Sequence, residues 1–287
     1  MLIGVIGNGF VGRATMLLEC VQVKLVVYDI NPALCKPVGT ELGDLIDCEC
    51  IFISVPTPMK KNGECFTDIV EEVVTNLRNI QYKGFIIIRS TVPVGTCDRL
   101  GCYFMPEFLT ERNFCEDFKQ NQNWIFGISQ GPRDSEFKKT IRELFTLAHL
   151  NKRIQHNNIH FVLNKEAEMI KLFRNCMLAT KVSFCNEISE FCTLKDIDYE
   201  NVRKLACEDP RILHSHSKVP GPDGKYGFGG TCFPKDANNL KYQMGQAGMK
   251  GFILNAILER NTTVDRPEKD WNKNIGRAVV EDDPSDN

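Results

Sequence analysis

The stretch Leu2–Ile6 reads as a buried strand and runs straight into Gly7-Asn8-Gly9-Phe10-Val11-Gly12, the start of a helical pattern. A strand, a glycine-spaced turn and a helix in immediate succession admit few folds. Gly7 suits the tight turn, Gly9 lets a pyrophosphate approach the backbone, and Gly12 lets helix and strand pack closely. The helix start, with Phe10 and Val11, offers amide donors and a positive dipole end to phosphate. A second strand over residues 24–30 reaches Asp29, where this fold places the carboxylate that accepts from ribose hydroxyls. A carboxylate there repels a 2′-phosphate, so NAD is predicted over NADP. An ordinary strand-end turn is the plainer reading of Asp29, and the glycines upstream rank it second.

The pattern continues with strands predicted over residues 2–6, 24–30, 50–55, 85–89 and 124–129, and helices over 11–20, 68–80 and 134–147. That alternation predicts an α/β fold with a largely parallel sheet: a Rossmann-type NAD-binding domain over residues 1–163. From Asn164, a helix-capping residue type, apolar spacing persists to about residue 191. This long connecting helix opens an all-α central domain over 164–275 that carries the glycine-rich loop around Cys232. Residues 276–287 are acidic and are predicted to be a disordered tail.

Charge and cysteine usage remove several function classes. A net charge of −2 gives no electrostatic footprint for nucleic acid or an anionic membrane. No stretch approaches the roughly 20 apolar residues that span a bilayer, and the N-terminus shows no export signal, so a cytoplasmic location is expected. Thirteen cysteines is an odd number in a long chain, which predicts buried thiols rather than a disulfide framework. Cys48 and Cys50 lack a zinc-site spacing, and no metal is predicted.

One cysteine stands apart. Cys232 lies in Gly227-Phe228-Gly229-Gly230-Thr231-Cys232-Phe233-Pro234-Lys235-Asp236. Glycines let a substrate reach the backbone, while a cation and a helix start raise the thiolate fraction of a thiol. Together they describe an activated nucleophile.

With the preceding Gly221-Pro222-Asp223-Gly224-Lys225-Tyr226, this run resembles the active-cysteine signature of the UDP-glucose/GDP-mannose 6-dehydrogenase family. Other segments agree in order: Pro56-Thr57-Pro58, Ser90-Thr91-Val92-Pro93-Val94-Gly95-Thr96, Pro106-Glu107-Phe108-Leu109-Thr110-Glu111, Lys171 with Asn175, and Arg211-Ile212. The resemblance spans about residues 1–262. It implies a four-electron oxidation of a nucleotide-sugar C6 alcohol to the uronic acid with two NAD, UDP-glucose being the favoured substrate.

The resemblance also implies roles for individual residues. Cys232 is the nucleophile. Lys171 and Asn175, four apart on one helix, donate to the oxygen at C6; by themselves they read as ordinary solvated helix polarity. Asp236 and Thr91 hold a water near C6, and Glu107 is the general base for thioester hydrolysis. Pro56, Thr57, Ser90, Thr91, Glu111 and Lys235 join Gly7, Gly9, Phe10, Val11, Gly12 and Asp29 around the cofactor. Glu107, Phe108, Leu109, Lys171, Asn175, Phe228, Gly229 and Cys232 meet the sugar nucleotide. Arg211 reaches the partner subunit's substrate in a homodimer built on the long helix.

A second Rossmann-like domain that grips the nucleotide follows in the family and is expected to be missing. Three readings stay open: a compact active enzyme, a half-enzyme completed by a separate partner, and a non-catalytic NAD-binding protein. A 3-hydroxyacid dehydrogenase of similar plan would need no nucleophilic cysteine.

Overall fold

A computed structural model describes residues 1–281. It divides into two compact units, the first comprising residues 1–57 and 67–171, the second residues 58–66 and those from 172 onward.

The first unit is a seven-stranded sheet: β1 (Leu2–Ile6), β2 (Lys24–Tyr28), β3 (Cys50–Ile53), β4 (Phe85–Ile88), β5 (Tyr103–Phe104), β6 (Asn123–Ile128) and β7 (Asn158–Leu163). Their spatial order is β2-β1-β3-β4-β5-β6-β7. The first five run parallel; β6 is antiparallel to β5, and β7 is parallel to β6. The order reverses between β1 and β3, and in open sheets of this kind ligands bind beyond the strand ends at such a switch point.

Period-two alternation along each strand feeds two cores. Cys50 and Phe52 join Phe85, Ile87, Trp124, Phe126, Phe137 and Phe145 on one face. Ile51 and Ile53 join Ile88, Phe104, Val70, Val74 and Leu77 on the other. The helices follow apolar spacing: α1 (Phe10–Thr15), α2 (Asp68–Asn79), the short α3 (Thr96–Arg99) and α4 (Phe114–Lys119), and α5 (Asp134–Leu150). Val70, Val74 and Leu77, at i, i+4 and i+7 of α2, form its buried stripe.

The helix α6 (Asn164–Leu194) begins in the first unit and continues into the second, where α7 (Tyr199–Ala206), α8 (Phe233–Gln246) and α9 (Phe252–Arg260) follow. A π-helical turn, Asn261–Asp265, ends α9.

Three sequence expectations need correcting. The helix expected over residues 11–20 is α-helical only to Thr15, then 3₁₀ over Met16–Leu18. Strands β5 and β7 were not anticipated. Residues 276–280 are not a free tail: Met59 N donates to Ala278 O at 2.9 Å, and Val280 N donates to Met59 O at 3.0 Å, closing a bridge that buries Ala278. Residues 282–287 of that expected tail lie outside the described residues.

Candidate active site

In the first unit the predicted cofactor residues other than Glu111 gather at the ends of β1 to β4; Lys235 lies in the second unit. Gly7 adopts a φ of +90°. A β-carbon at Gly12 would overlap the Gly7 carbonyl oxygen, so this glycine is required for packing. At Gly9, which precedes the first turn of α1, a β-carbon would meet nothing within 4 Å, leaving open space at the helix start where Phe10 and Val11 follow. Asp29 follows β2; its Oδ2 accepts from Asn8 N at 2.7 Å and its Oδ1 from Asn31 N at 2.9 Å.

The segments after β3 and β4 are stitched together: Thr57 Oγ1 donates to Thr91 O at 2.7 Å, and Ser90 Oγ donates to Val55 O at 2.6 Å. Pro56 lies in the same segment as Thr57. Beside them, the buried Asn8 Oδ1 and Ser54 Oγ have no hydrogen-bond partner among the described residues. Open space over a helix start, a ribose-competent carboxylate and unsatisfied polar atoms at the switch point fit a dinucleotide.

Beyond β5, Glu107 and Lys171 form a buried pair. Lys171 Nζ donates to Glu107 Oε1 at 2.6 Å and to Glu107 O at 2.7 Å, with the side chains 3% and 6% exposed. Glu107 Oε2 accepts from Leu109 N at 2.9 Å, and the Phe108 ring lies 5.9 Å from Lys171 Nζ. Glu111 sits on the exposed turn that follows. One helical turn before Lys171, Glu168 accepts from Gly95 N at 2.5 Å and Cys97 N at 2.8 Å, fixing the start of α6 to the loop after Thr91. Burial raises the Glu168 pKa, against the lowering effect of those hydrogen bonds.

In the second unit Cys232 caps α8 and is partly exposed. Lys235 and Asp236 follow in the first turn, 7% and 1% exposed. Lys235 Nζ donates to Asp236 Oδ1 at 2.8 Å, and Asn175 Nδ2 donates to Asp236 Oδ2 at 2.6 Å. Burial acts to lower the Lys235 pKa, but the Asp236 carboxylate and the Cys65 and Cys232 thiols outweigh it, and the net shift is upward. The ammonium therefore stays charged beside the Cys232 thiol. Burial pushes the Cys176 thiol up to about 12.

The loop before Cys232 is clamped by residues the sequence did not single out. Asn261 Oδ1 accepts from Phe228 N at 2.8 Å and its Nδ2 donates to Phe228 O at 2.9 Å, while Asn186 Oδ1 accepts from Gly227 N at 3.1 Å. Arg266, 1% exposed, donates to Tyr226 O at 3.0 Å and Asp223 Oδ2 at 2.6 Å. A β-carbon on Gly229 would collide with the Arg266 guanidinium. Phe228 itself is a buried ring.

The structure thus brings Gly7 to Gly12, Asp29, Pro56, Thr57, Ser90 and Thr91 to one edge of the sheet, pairs Glu107 with Lys171, and joins Asn175, Asp236 and Lys235 near Cys232. Arg211 stands apart, 87% exposed and ion-paired with Asp209 at 2.6 Å. The buried Arg89 was also missed; a charge ending the apolar run 85–88 was its signal in the sequence. Among the described residues, no helix is long and apolar enough to cross a membrane, and no group of three or more His, Cys, Asp or Glu could hold a metal ion.

Two family models match the chain. Residues 37–149 match the NAD binding domain of the UDP-glucose/GDP-mannose dehydrogenase family, and residues 165–263 match its central domain. The chain is 32% identical over 235 residues to UDP-glucose 6-dehydrogenase of Pseudomonas aeruginosa, a match covering 76% of this chain and 49% of that protein. It therefore spans about half the length of the curated relatives it matches.

Among solved structures, a UDP-glucose dehydrogenase from the hyperthermophilic archaeon Pyrobaculum islandicum superposes with a TM-score of 0.76 at 23% identity, covering 91% of this chain and 67% of that one. A GDP-mannose dehydrogenase from Pseudomonas aeruginosa gives 0.63 at 23% identity, with 91% and 68% covered. At these identities the structures establish the fold. The matched nucleotide-binding domain identifies the cofactor as NAD. Carrying both the NAD binding and the central domain, the chain belongs to the UDP-glucose/GDP-mannose dehydrogenase family.

Proposed function

We propose that the chain oxidises the C6 alcohol of a nucleotide sugar to the carboxylate in two NAD-dependent steps, with UDP-glucose the favoured substrate and Cys232 the covalent nucleophile. The observation that carries this reading is Cys232 at the cap of α8 beside a buried, charged Lys235. Gly9, the α1 start and Asp29 would hold the cofactor, with Pro56, Thr57, Ser90 and Thr91 at the nicotinamide side; Glu111 and Lys235 are assigned the same neighbourhood. Bound NAD supplies the acceptor for two electrons in each oxidation.

The first oxidation leaves an aldehyde at C6. An aldehyde cannot readily be oxidised again until a nucleophile makes its carbon tetrahedral. The Cys232 thiolate forms a carbon–sulfur bond, and negative charge moves to the aldehyde oxygen. Lys171 has three N–H donors, of which two are engaged on Glu107; Asn175 has two, of which one is engaged on Asp236. Both side chains are assigned to donate to that oxygen. The second oxidation converts the thiohemiacetal to a thioester. Glu107 then takes a proton from water as the water attacks, the carbon–sulfur bond breaks, and Cys232 leaves as thiolate. Thr91 and Asp236 position that water, while Phe108, Leu109, Phe228, Gly229 and Arg211 are assigned to the sugar nucleotide.

Exposed Phe173, Met177, Phe184 and Phe191 on α6 support a homodimer through this helix. GDP-mannose is the second substrate candidate, supported by the family description. The test is NADH released per sugar consumed by the purified chain. Two NADH per UDP-glucose is the expected result; no turnover with any nucleotide sugar, despite NAD binding, would overturn it.

A further inference from the structure

Arg89, the residue immediately after β4, is 2% exposed, among the most buried large side chains in the chain. Its Nη1 donates to Val11 O at 3.2 Å and bonds Thr15 Oγ1, both on the cofactor-binding helix α1. The Phe118 ring lies 5.6 Å from its guanidinium carbon. Its Nε is buried and has no hydrogen-bond partner among the described residues. An unsatisfied donor on a buried cation costs on the order of 1–3 kcal/mol or more. Burial accordingly lowers the Arg89 pKa to about 10, with the Glu107 carboxylate acting in the opposite direction.

Arg89 also lines a cavity of ≈ 30 Å³ with Pro106, Glu107, Phe108, Leu109, Asp117 and Asn121. That volume exceeds the roughly 10–15 Å³ one water needs, and the lining supplies the several polar partners such a water requires.

We propose that Arg89 is a positioning residue for Glu107, acting through a single buried water held in this cavity between the Arg89 Nε and the Glu107 carboxylate. The guanidinium would then join two parts of the first unit, with α1 on one side and the carboxylate on the other. The charged groups around Glu107 are Arg89 from the end of β4, Lys171 from α6 and Asp117 from α4. Asp117 Oδ2 accepts from the Thr110 amide at 2.7 Å and from its hydroxyl at 2.5 Å. Two cations therefore stabilise the Glu107 anion against one carboxylate.

The catalytic meaning of this arrangement rests on Glu107 as the base, but its physical test does not. The Glu107 side-chain carbon is followed by ¹³C NMR in the full chain labelled at glutamate, its signal identified by its loss in Glu107→Gln. Replacing Arg89 by methionine should raise the titration midpoint of Glu107 by about one pH unit, because a favourable cation is lost. Arg89→Lys, which keeps the charge, should restore most of that difference.

An unchanged midpoint in an Arg89→Met protein that still unfolds cooperatively overturns the proposal. A crystal structure of the unsubstituted chain provides a second readout that needs no variant to fold. Water density within hydrogen-bond distance of both Arg89 Nε and Glu107 is expected, and a cavity without it overturns the bridge. If instead Glu107→Gln leaves thioester hydrolysis intact, the assignment of the base fails while the Arg89 link stands.

Discussion

Among the described residues there are two buried lysine–carboxylate pairs, one in each compact unit, and they are built differently. Glu107 has Lys171 as ion-pair partner, Leu109 N as a further donor, and Arg89 close enough for the charges to interact. Asp236 has Lys235 and the Asn175 amide, with no second ion-pair partner among the described residues. A buried pair rarely stabilises a fold more than apolar side chains would, because both ions lose their hydration. Two such pairs in one chain are better explained by chemistry: the first places a carboxylate beside a water-sized cavity, and the second holds an ammonium charged beside a thiol.

The largest effect that would sharpen this contrast is on the thiol. Cys232→Ser should reduce net acid formation by roughly 10⁴-fold or more while leaving NAD affinity unchanged. Uronic acid assayed chromatographically, with NAD titrated by fluorescence, gives both readings, and undiminished acid would remove the nucleophile from the second pair's role.

Next come the pairs themselves. Breaking a buried pair from one side costs about 3–5 kcal/mol. In urea denaturation, Lys235→Met should fall at the upper end of that range and Lys171→Met at the lower, since only Glu107 keeps another cation nearby. The reverse order would break the comparison.

A smaller contrast lies within the glycine turn. Gly12→Ala should destabilise the fold by about 1–3 kcal/mol, whereas Gly9→Ala should leave the melting temperature unchanged and weaken NAD. Equal melting shifts would count against open space at Gly9. The smallest effect is at Asp29. Asp29→Asn should weaken NAD by about tenfold, near 1.4 kcal/mol, and NADP by less. Parallel losses for the two cofactors would remove the ribose role.

Much of this arrangement was legible in the sequence because it is local. The glycine turn follows its strand directly, Asp29 sits at the next strand end, and Cys232 carries its glycines, lysine and aspartate within a few positions. What escaped has nonlocal causes. Strand β5 is the two residues Tyr103–Phe104, too short to show a period. Strand β7 is an edge strand whose burial alternates weakly and includes a polar His160, so no continuous apolar run marks it. Residues 276–280 read as a tail because the partner of Val280 is Met59, far upstream in sequence. Arg89, Asn261 and Arg266 are single polar residues whose importance comes from backbone groups brought to them by folding.

Arg266 carries a consequence for the order in which the chain is made. The loop that presents Cys232 is held by Asn261 and Arg266, about thirty residues downstream of the cysteine. Domains form as synthesis proceeds, N-terminal parts first. The nucleotide-binding sheet can therefore be complete while the cysteine loop has its upstream contact, Asn186 with Gly227, but not yet its downstream clamps. The clamps on Phe228 and Tyr226 can close only when Asn261 and Arg266 have emerged from the ribosome, so the cysteine loop is among the last parts of the chain to be fixed.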